Sequence, residues 1–344
     1  MLEHYTPVNL INLQRALVDS EEQSASARLE QLVHLGLDTL PAPGSGATLQ
    51  RWQALAAVAQ SDLSLVKLFE GHVDALTTMN ELNCPSAIEG AVWGMWAAEA
   101  PEKRVTIELL ADGKVLLEGS KAWCSGAATV SHALLTAWYP DGRGPQLVQV
   151  PMRQSGVSTS DQHWRAVGMQ ASASIDVHFH SAHGVLVGHI GDYLARPGFW
   201  QGGAGIAACW FGGSQAIASA LRRSVCQTGA SVTYPFRLAA LGKVDLALQG
   251  TAALLRQAAH SIDMHPLEDA SILALRVRQS AEGTARYVLD QVLQTLGATL
   301  LCKDPHFARA AADLPVFIRQ SHAERDFAAL GERLCKEEEN LWML

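Results

Sequence analysis

The chain contains a β-hairpin pattern that runs into a short stretch of unusual composition. Two apolar runs, Val105–Leu110 and Val115–Leu117, flank Asp112-Gly113, a dipeptide that favours the tight turn of an antiparallel hairpin. The second run continues into Lys121-Ala122-Trp123-Cys124-Ser125-Gly126. A Trp offers a broad flat face, a Ser a short donor and acceptor, and a Gly close backbone approach. The stretch therefore predicts either one wall of a site for a flat heterocycle or a barrel corner with a core Trp.

The apolar periodicity divides the chain into three regions. Leucines at helical spacing predict helices over residues 8–80, and residues 86–192 are rich in Val and Thr with Gly-containing turns, which predicts antiparallel strands. Helical spacing returns after a Gly- and Pro-containing junction at 196–203. We therefore predict an α+β protein with an N-terminal helical domain (1–85), a middle antiparallel β-barrel domain (86–192) and a C-terminal four-helix bundle (193–344).

Prolines punctuate the predicted C-terminal helices. Because Pro is tolerated in the first turn of a helix and not in its interior, each of these prolines predicts a helix start: Pro235, Pro266, Pro305 and Pro315.

The stretch after the hairpin resembles the acyl-CoA dehydrogenase superfamily. The flavin-binding strand of that family reads approximately Gly-x-Lys-x-Trp-Ile-Thr-Asn, and Gly119, Lys121, Trp123 and Ser125 occupy the corresponding positions. A second segment, Val167–Ser174, is similar to the family's Gly-Met-Arg-Ala-Ser/Thr-x-Ser stretch. The two segments have the order and separation of the family. The resemblance implies helices, then a β-barrel, then a helical bundle, which is the order that the periodicity predicts independently.

The same resemblance implies an FAD site between the β domain and the bundle. Trp123 would pack beside the isoalloxazine ring, Ser125 would hydrogen-bond near its N5 edge, and Met169 belongs to the second flavin segment. Gln294 and Gly297 resemble a Gln-x-x-Gly-Gly turn that in the family reaches the FAD of a neighbouring subunit. The resemblance thus implies a homodimer or homotetramer. The alternative for the turn is a helix C-terminus ended by Gly297.

The position of the family's catalytic base departs from the pattern. The family has an Ile-Tyr-Glu-Gly-Thr motif, and here Gln320 stands in the place of the Glu. An amide side chain does not take up the α-proton of an acyl substrate. His322 is a candidate base near neutral pH. Glu324 is a second candidate, but Ser321-His-Ala-Glu324 is also a capping-box pattern at a helix start.

Two further elements of the family are altered. Glu99 and Pro101 match its Thr-Glu-Pro loop with one residue inserted, Ala98 replaces the Thr, and the Gly-Ser-Asp turn is absent. An Arg-x-x-Phe-Gly dinucleotide element is not recognisable, and residues 231–237 stand in its place, with Arg237 as the one cation for a phosphate.

Composition limits the kinds of partner. The net charge of −8 disfavours a general nucleic-acid binder, and 48% hydrophobic residues indicate a globular chain. Six dispersed cysteines without a Cys-x-x-Cys pair indicate reduced thiols in a cytosolic protein. With no uninterrupted apolar stretch of about 18 residues, we expect no membrane span. His178 and His180 share one strand face, and we expect no acidic or Cys partner nearby, so we predict a polar strand face and not a metal site.

Together these features give three hypotheses. The first is an FAD-dependent oxidoreductase of acyl-CoA dehydrogenase type acting on an acyl-CoA or related acyl substrate. The second is a flavin monooxygenase or oxidase with a non-CoA substrate. The third is a non-catalytic degenerate homologue that serves as a partner subunit.

Overall fold

A computed structural model of the chain describes residues 9–84, 88–100, 102–227, 234–337 and 342. The described residues form two compact units. The first comprises the residues up to Ala42 together with Ser64–Phe199, and the second comprises Pro43–Leu63 together with the residues from Trp200 onward. The fold is mixed α+β, with a small β-barrel and a helical C-terminal region, as the periodicity predicts.

The helices lie before and after the strands in the sequence. The helices are α1 (Leu10–Asp19), α2 (Ala25–His34), α3 (Thr48–Ser61), α4 (Leu63–Glu81), α5 (Asp192–Ala195), α6 (Gly198–Gln227), α7 (Tyr234–Met264), α8 (Ser271–Leu296), α9 (Ala298–Lys303), α10 (Pro305–Phe317) and α11 (Glu324–Leu334). The strands are β1 (Trp93–Trp96), β2 (Val105–Leu109), β3 (Lys114–Cys124), β4 (His132–Trp138), β5 (Pro145–Pro151), β6 (Val157–Ser160) and β7 (Ile175–Val187). Two short 3-10 turns span Gln170–Ser172 and Ile318–Gln320.

The hairpin of β2 and β3 confirms the first prediction. The strands are antiparallel, and Leu109 lies opposite Val115 at the turn. Asp112 and Gly113 both have positive φ angles, 57° and 71°. This is the type I′ geometry, which matches the right-handed twist of the flanking strands.

Strand pairing closes the sheet into the barrel. β3 pairs with β2 and β7, β5 pairs with β7 and β4, and Thr106 opposite Trp138 joins β2 to β4. β1 pairs in parallel with β4, and β6 pairs with β7. At Gly119 the register of β3 against β7 shifts, and the φ angle is +116°. A Cβ atom there would lie 2.3 Å from the carbonyl oxygen of Arg104, so only Gly fits this position of the motif.

Helix α4 packs on the barrel in the first unit. Its buried residues join a cluster with strand residues: Ala75 and Met79 with Trp93, Leu134, Leu147 and Val187. The fully buried His72 of the same helix accepts the backbone N–H of Trp93 on Nδ1 at 3.0 Å, and Nε2 lies 3.0 Å from Asp38. Because Nδ1 is an acceptor, Nε2 carries the ring proton and donates it to the carboxylate. His72 thereby fixes α4 to the start of β1.

Helix α3 belongs to the second unit, although it precedes the barrel in the sequence. The carboxylate of Asp263, near the end of α7, accepts the hydroxyl of Thr48 at 2.6 Å and its backbone N–H at 3.0 Å. This carboxylate stabilises the N-terminus of α3. On α6, a Cβ at Gly212 would lie 2.3 Å from the carbonyl oxygen of Ala56, so α6 and α3 approach with their backbones nearly in contact. The buried face of α3 carries Trp52, Leu55 and Val58.

The prolines mark two of the four predicted helix starts. Pro235 is the second residue of α7, and Pro305 is the first residue of α10, where Asp304 caps the N–H of Phe307 at 3.0 Å. Pro266 lies in the turn before α8, and the prediction for Pro315 was wrong because it lies inside α10. The helix ends two residues beyond Pro315 and continues as a 3-10 turn, so the missing N–H affects only its last turn.

Two described helices are long and apolar enough to cross a membrane by length and composition alone: α6 and α7. The sequence prediction considered only uninterrupted apolar residues, whereas these helices mix apolar residues with Gly, Ser and Gln. In α6, 78% of the apolar window is buried inside the structure, which is typical of a core helix; in α7 the share is 22%. The absence of a membrane span therefore stays a prediction.

Candidate functional site

The exposed indole of Trp123 defines one wall of the site. Trp123 lies at the end of β3, where the pairing with β7 shifts between Lys121 and Cys124. Its φ angle is +61°, and its side chain is 63% exposed. A bulky residue in the left-handed region is strained, and such strain is concentrated at functional sites. Of the two alternatives for this stretch, the structure excludes a core Trp.

The two motifs that resemble the flavin segments meet at this point through a chain of serine hydroxyls. Ser125 Oγ lies 2.8 Å from Ser174 Oγ, which lies 3.0 Å from Ser172 Oγ. Ser172 Oγ is 2.8 Å from the carbonyl oxygen of Met169. The backbone N–H of Gly126 also donates to the carbonyl of Ser172, at 2.9 Å.

The serine chain has a direction. A carbonyl oxygen only accepts, so the Ser172 hydroxyl donates to Met169. Ser174 then donates to Ser172, and Ser125 donates to Ser174. With its proton occupied, Ser125 offers only an oxygen lone pair to a ligand. Met169 itself has a positive φ of 58° and a buried side chain, so it shapes the turn.

A pocket of about 340 Å³ lies beside Trp123. Its second aromatic wall is Trp164, whose indole N–H donates to the carbonyl of Gln170 at 3.1 Å. Lys103 and Asp176 form an ion pair in the lining. Glu102 also lines the pocket and makes no ion pair with another described residue. Sequence reasoning missed Trp164 because it lies in a loop without periodicity or motif.

An ion pair between a buried ammonium and a partly exposed carboxylate holds the segment between β1 and β2 to the barrel next to this pocket. The ammonium of Lys121 is 1% exposed and lies 2.9 Å from Glu99 Oε1, 2.7 Å from the hydroxyl of Thr136 and 3.0 Å from its carbonyl oxygen. Trp138 Nε1 donates to Glu99 Oε2 at 3.0 Å, and the guanidinium of Arg104 stacks 4.1 Å from the Trp138 ring. Glu99 and Lys121 are the matched motif residues; Pro101 lies outside the described residues.

Burial and hydrogen bonding shift the pKa values of this pair. Burial alone would raise the pKa of Glu99, but hydrogen bonds from Thr136 and Lys121, with the charge of Lys121, lower it below its ordinary value. Burial lowers the pKa of Lys121, and the hydrogen bond and charge of Glu99 oppose that shift. The mutual hydrogen bond and the opposite charges therefore favour the ionised form of each group against the effect of burial.

The candidate base positions lie in the second unit. Gln320 ends the 3-10 turn after α10, and its backbone oxygen accepts from Arg278 at 2.9 Å. Its side-chain oxygen Oε1 is buried without a hydrogen-bond partner among the described residues. His322 is exposed, with Nδ1 3.4 Å from Asp326. Glu324 is an exposed first residue of α11.

The capping-box interpretation of Ser321 to Glu324 was wrong in its partners. The helix begins at Glu324, too late for that residue to reach back from its third position. Asp326 accepts the backbone N–H of His322 at 3.0 Å instead, and the Ser321 hydroxyl accepts the N–H of Ala323 at 3.2 Å. The end of this turn is therefore stabilised by Asp326.

Gln294 and Gly297 lie at the end of α8. The amide of Gln294 donates to both carboxylate oxygens of Asp290 at 2.8 Å. Gly297 has a φ of +64° and ends the helix, which confirms the alternative interpretation of this turn. Arg237 is close to Ser224, with Nη1 3.3 Å from its hydroxyl, and residues 231–233 lie outside the described residues.

The histidine strand face is polar and exposed, as the alternation predicts. The expectation of no acidic neighbour was wrong, since His180 Nδ1 lies 3.0 Å from Glu118 Oε1, contributed by β3 across the pairing. The hydrogen bond from His180 lowers the pKa of Glu118. The described residues contain no group of three or more potential metal ligands.

No protein-family profile and no curated protein matches the chain. Solved structures do. TdsC, a dibenzothiophene monooxygenase from Paenibacillus sp. A11-2 solved with FMN and indole, has a TM-score of 0.79 at 19% identity, covering 95% of this chain and 96% of that one. KijD3, solved with FMN and a dTDP-sugar, has a TM-score of 0.79 at 17% identity, covering 97% of this chain and 93% of KijD3. The methanesulfinate monooxygenase MsuC from Pseudomonas fluorescens has a TM-score of 0.78 at 18% identity, covering 97% of this chain and 98% of MsuC.

These structures have the acyl-CoA dehydrogenase fold, and so does this chain. The resemblance in two short motifs is thus confirmed at the level of the fold over nearly the full length.

The Glu99–Lys121 pair gives a testable dependence of stability on pH. We expect Glu99→Gln to lower the free energy of unfolding by about 1 kcal/mol at pH 7, because a buried ammonium loses a charged partner whose 37% exposure lets solvent screen the pair. A carboxyl with a lowered folded-state pKa stabilises above its unfolded pKa, and this contribution disappears as the pH falls through the folded-state pKa. The difference between variant and wild type in urea unfolding should therefore shrink below about pH 4. Glu108→Gln, an exposed site on β2, is the control, and a pH-independent difference would contradict the assignment.

Proposed function

We propose that the chain is a flavin-dependent monooxygenase that uses reduced FMN and molecular oxygen on a small substrate without CoA. TdsC and MsuC are monooxygenases by name, and TdsC and KijD3 were solved with FMN. The two sequence hypotheses of flavin chemistry are thereby ordered, with oxygenation first and acyl-CoA dehydrogenation second. Bound reduced flavin supplies the electrons that activate oxygen.

The observation that carries this proposal is Gln320 in the place of the catalytic Glu. Dehydrogenation of an acyl-CoA needs a base within about 3 Å of the α-proton. Gln320 offers an amide, His322 is bound to Asp326, and Glu324 is an exposed residue at the start of a helix. Oxygenation by a reduced flavin has no such requirement for a carboxylate at this position.

The residues around Trp123 fit a flavin ring. The exposed indole supplies a flat face, and the pocket beside it has Trp164 as a second aromatic wall. The turn that Met169 shapes holds the Ser174 hydroxyl against Ser125. The single cation in the lining, Lys103, is already paired with Asp176, so this pocket suits the ring and not the phosphate end.

The direction of the serine chain favours reduced over oxidised flavin. The resemblance implies that Ser125 lies beside N5, and Ser125 has only a lone pair to offer. Reduced flavin carries a hydrogen on N5, whereas the N5 of oxidised flavin is an acceptor. A hydrogen-bond acceptor from the protein therefore matches the reduced form, which a monooxygenase that receives its flavin from a separate reductase must bind.

The choice of FMN has a consequence for the end of α8. In FAD-binding relatives, the turn that Gln294 and Gly297 resemble reaches the adenine half of the cofactor. FMN has no adenine, so we assign Gln294 to its pair with Asp290 and Gly297 to the helix terminus.

We further propose that the C-terminal helices form a four-helix bundle that assembles into a homodimer or homotetramer. The apolar face of α7 supports this, since only 22% of its most apolar window is buried. Phe236 and Leu246 are more than 70% exposed on this helix. Exposed apolar surface of this extent is typical of a subunit interface.

Flavin binding is the first test. In an anaerobic titration, the purified protein should bind reduced FMN, and Trp123→Ala should weaken binding about fivefold, because a stacking face contributes on the order of 1 kcal/mol. The exposed Trp342 is the control, and Trp342→Ala should bind as wild type. Failure to bind either FMN or FAD would move the chain to the non-catalytic hypothesis.

A second variant in the same titration isolates the serine chain. Ser174→Ala frees the proton of Ser125, which can then donate to oxidised flavin. The ratio of affinities for reduced and oxidised FMN should fall about fivefold, the effect of one hydrogen bond. Ser158→Ala, on the exposed face of β6, should leave the ratio unchanged.

The empty base position is the second test. Oxidised FMN in the wild-type protein should not be bleached by butyryl-CoA or octanoyl-CoA, with a rate at least ~10²-fold below that of a relative with Glu. Gln320→Glu should raise the rate if an acyl-CoA enters the site. Rapid bleaching of the wild type would contradict the monooxygenase proposal, and its loss in His322→Ala or Glu324→Ala would identify the base.

Incorporation of labelled oxygen from O₂ into indole or methanesulfinate would support the proposal directly.

The interface proposal predicts a change of mass. Light scattering at micromolar concentration should give a dimer or tetramer for the wild type and smaller species for Leu246→Glu, which puts a charge into the apolar face. Leu109→Glu, at a half-exposed Leu on β2, is the control. A monomeric wild type rejects the assembly.

A further inference from the structure

A second cleft opens in the first unit, apart from the pocket at Trp123. Its volume is about 570 Å³, and it shares no lining residue with that pocket. The end of α2, the residues before β1, those between β3 and β4 and the end of β5 form it. Cavities of this size are typical of small-molecule sites.

Two oppositely charged side chains line the cleft without forming an ion pair. Glu30 on α2 and Arg153 after β5 are both exposed, and neither forms an ion pair with any residue that the structure describes, including each other. Each charge alone would repel a ligand of its own sign, so neither a simple cation nor a simple anion is favoured. A ligand with both charges satisfies both side chains at once.

His132 adds a neutral ring to the wall of the cleft. Its ring packs against Trp93 with centroids 4.9 Å apart, and Nδ1 lies 3.0 Å from Ser131 Oγ. The Ser131 hydroxyl donates to the carbonyl of Val92 at 3.1 Å and accepts the backbone N–H of Val92 at 3.0 Å. Ser131 therefore joins the His132 ring to the residues before β1. Burial lowers the pKa of His132, which keeps the ring neutral.

The remaining lining supplies an apolar surface. Val33, Val92 and Pro151 lie in the same cleft as the charged residues. We propose that this cleft is a binding site for an α-amino acid with an apolar side chain. Its carboxylate pairs with Arg153, its ammonium pairs with Glu30, and its side chain contacts the apolar lining. A charge-assisted hydrogen bond at each end gives selectivity for the zwitterion.

Three probes with one carbon skeleton test the proposal. L-leucine carries both charges, 3-methylbutylamine only the ammonium and 4-methylpentanoate only the carboxylate. Calorimetry or saturation-transfer NMR on the full chain should give L-leucine an affinity at least about tenfold higher than that of either probe with one charge. Equal affinities for the three probes, or no measurable binding, would overturn the proposal.

Two charge-removing variants test the roles of Arg153 at the ligand carboxylate and of Glu30 at the ligand ammonium. Arg153→Met should weaken L-leucine about tenfold and leave the amine unchanged, whereas Glu30→Gln should weaken L-leucine and strengthen 4-methylpentanoate. Arg143→Met, in the turn between β4 and β5, and Glu108→Gln on β2 are matched controls. Unchanged leucine binding in both cleft variants would also overturn the proposal. FMN affinity, measured on the same samples, reports the flavin proposal separately, because no cleft residue lines the pocket at Trp123.

Discussion

One buried ammonium organises the barrel. Lys121 on β3 has lost its water, and an ammonium in that state needs a carboxylate and oxygen acceptors around it. Glu99 after β1 and Thr136 on β4 supply them, and Trp138 and Arg104 extend the contact to the start of β2. Four parts of the barrel are thus fixed relative to one charge. The segment at Glu99, which precedes residues lining the pocket at Trp123, is held by the same ammonium.

The corner at Trp123 shows how this scaffold is used. A left-handed conformation of a bulky residue costs on the order of 1–3 kcal/mol. The hydrogen bond from Gly126 to Ser172 and the serine hydroxyls hold the corner in place from the turn before β7. As a result the indole projects outward beside a pocket while its own backbone remains part of the sheet. The same contacts make the Ser125 hydroxyl a hydrogen-bond acceptor towards a ligand. The backbone conformation at Trp123 and the acceptor role of Ser125 therefore depend on one set of hydrogen bonds.

The order of helices and strands and the hairpin were predictable, because each depends on local periodicity or on turn chemistry. A common site for the two motifs was implied by the family resemblance alone. Asp112-Gly113 specifies its turn with no help from the rest of the chain. What the sequence did not predict depends on contacts between distant residues. Trp164 becomes a pocket wall only when β6 returns along β7, and Glu118 reaches His180 across a pair of strands. The exchange of Glu324 for Asp326 has another cause: capping patterns leave the exact helix start open by one or two residues. Pro315 lies in the last turn of α10, where a missing N–H disturbs little of the helix and does not start a new one.

The membership of α3 in the helical unit bears on how the chain is synthesised. Residues 43–63 are synthesised before the rest of their unit. The partners of Thr48 and Trp52 belong to the part of that unit from Trp200 onward. About 140 residues separate the two parts, and at about 5–20 residues per second a ribosome needs on the order of 10 s to cover that distance. During this interval the apolar face of α3 has no native surface to pack on, while the barrel between the two segments can complete its own fold. The nascent chain therefore passes through a stage in which a folded barrel is tethered to an exposed helix, a suitable target for a holding chaperone.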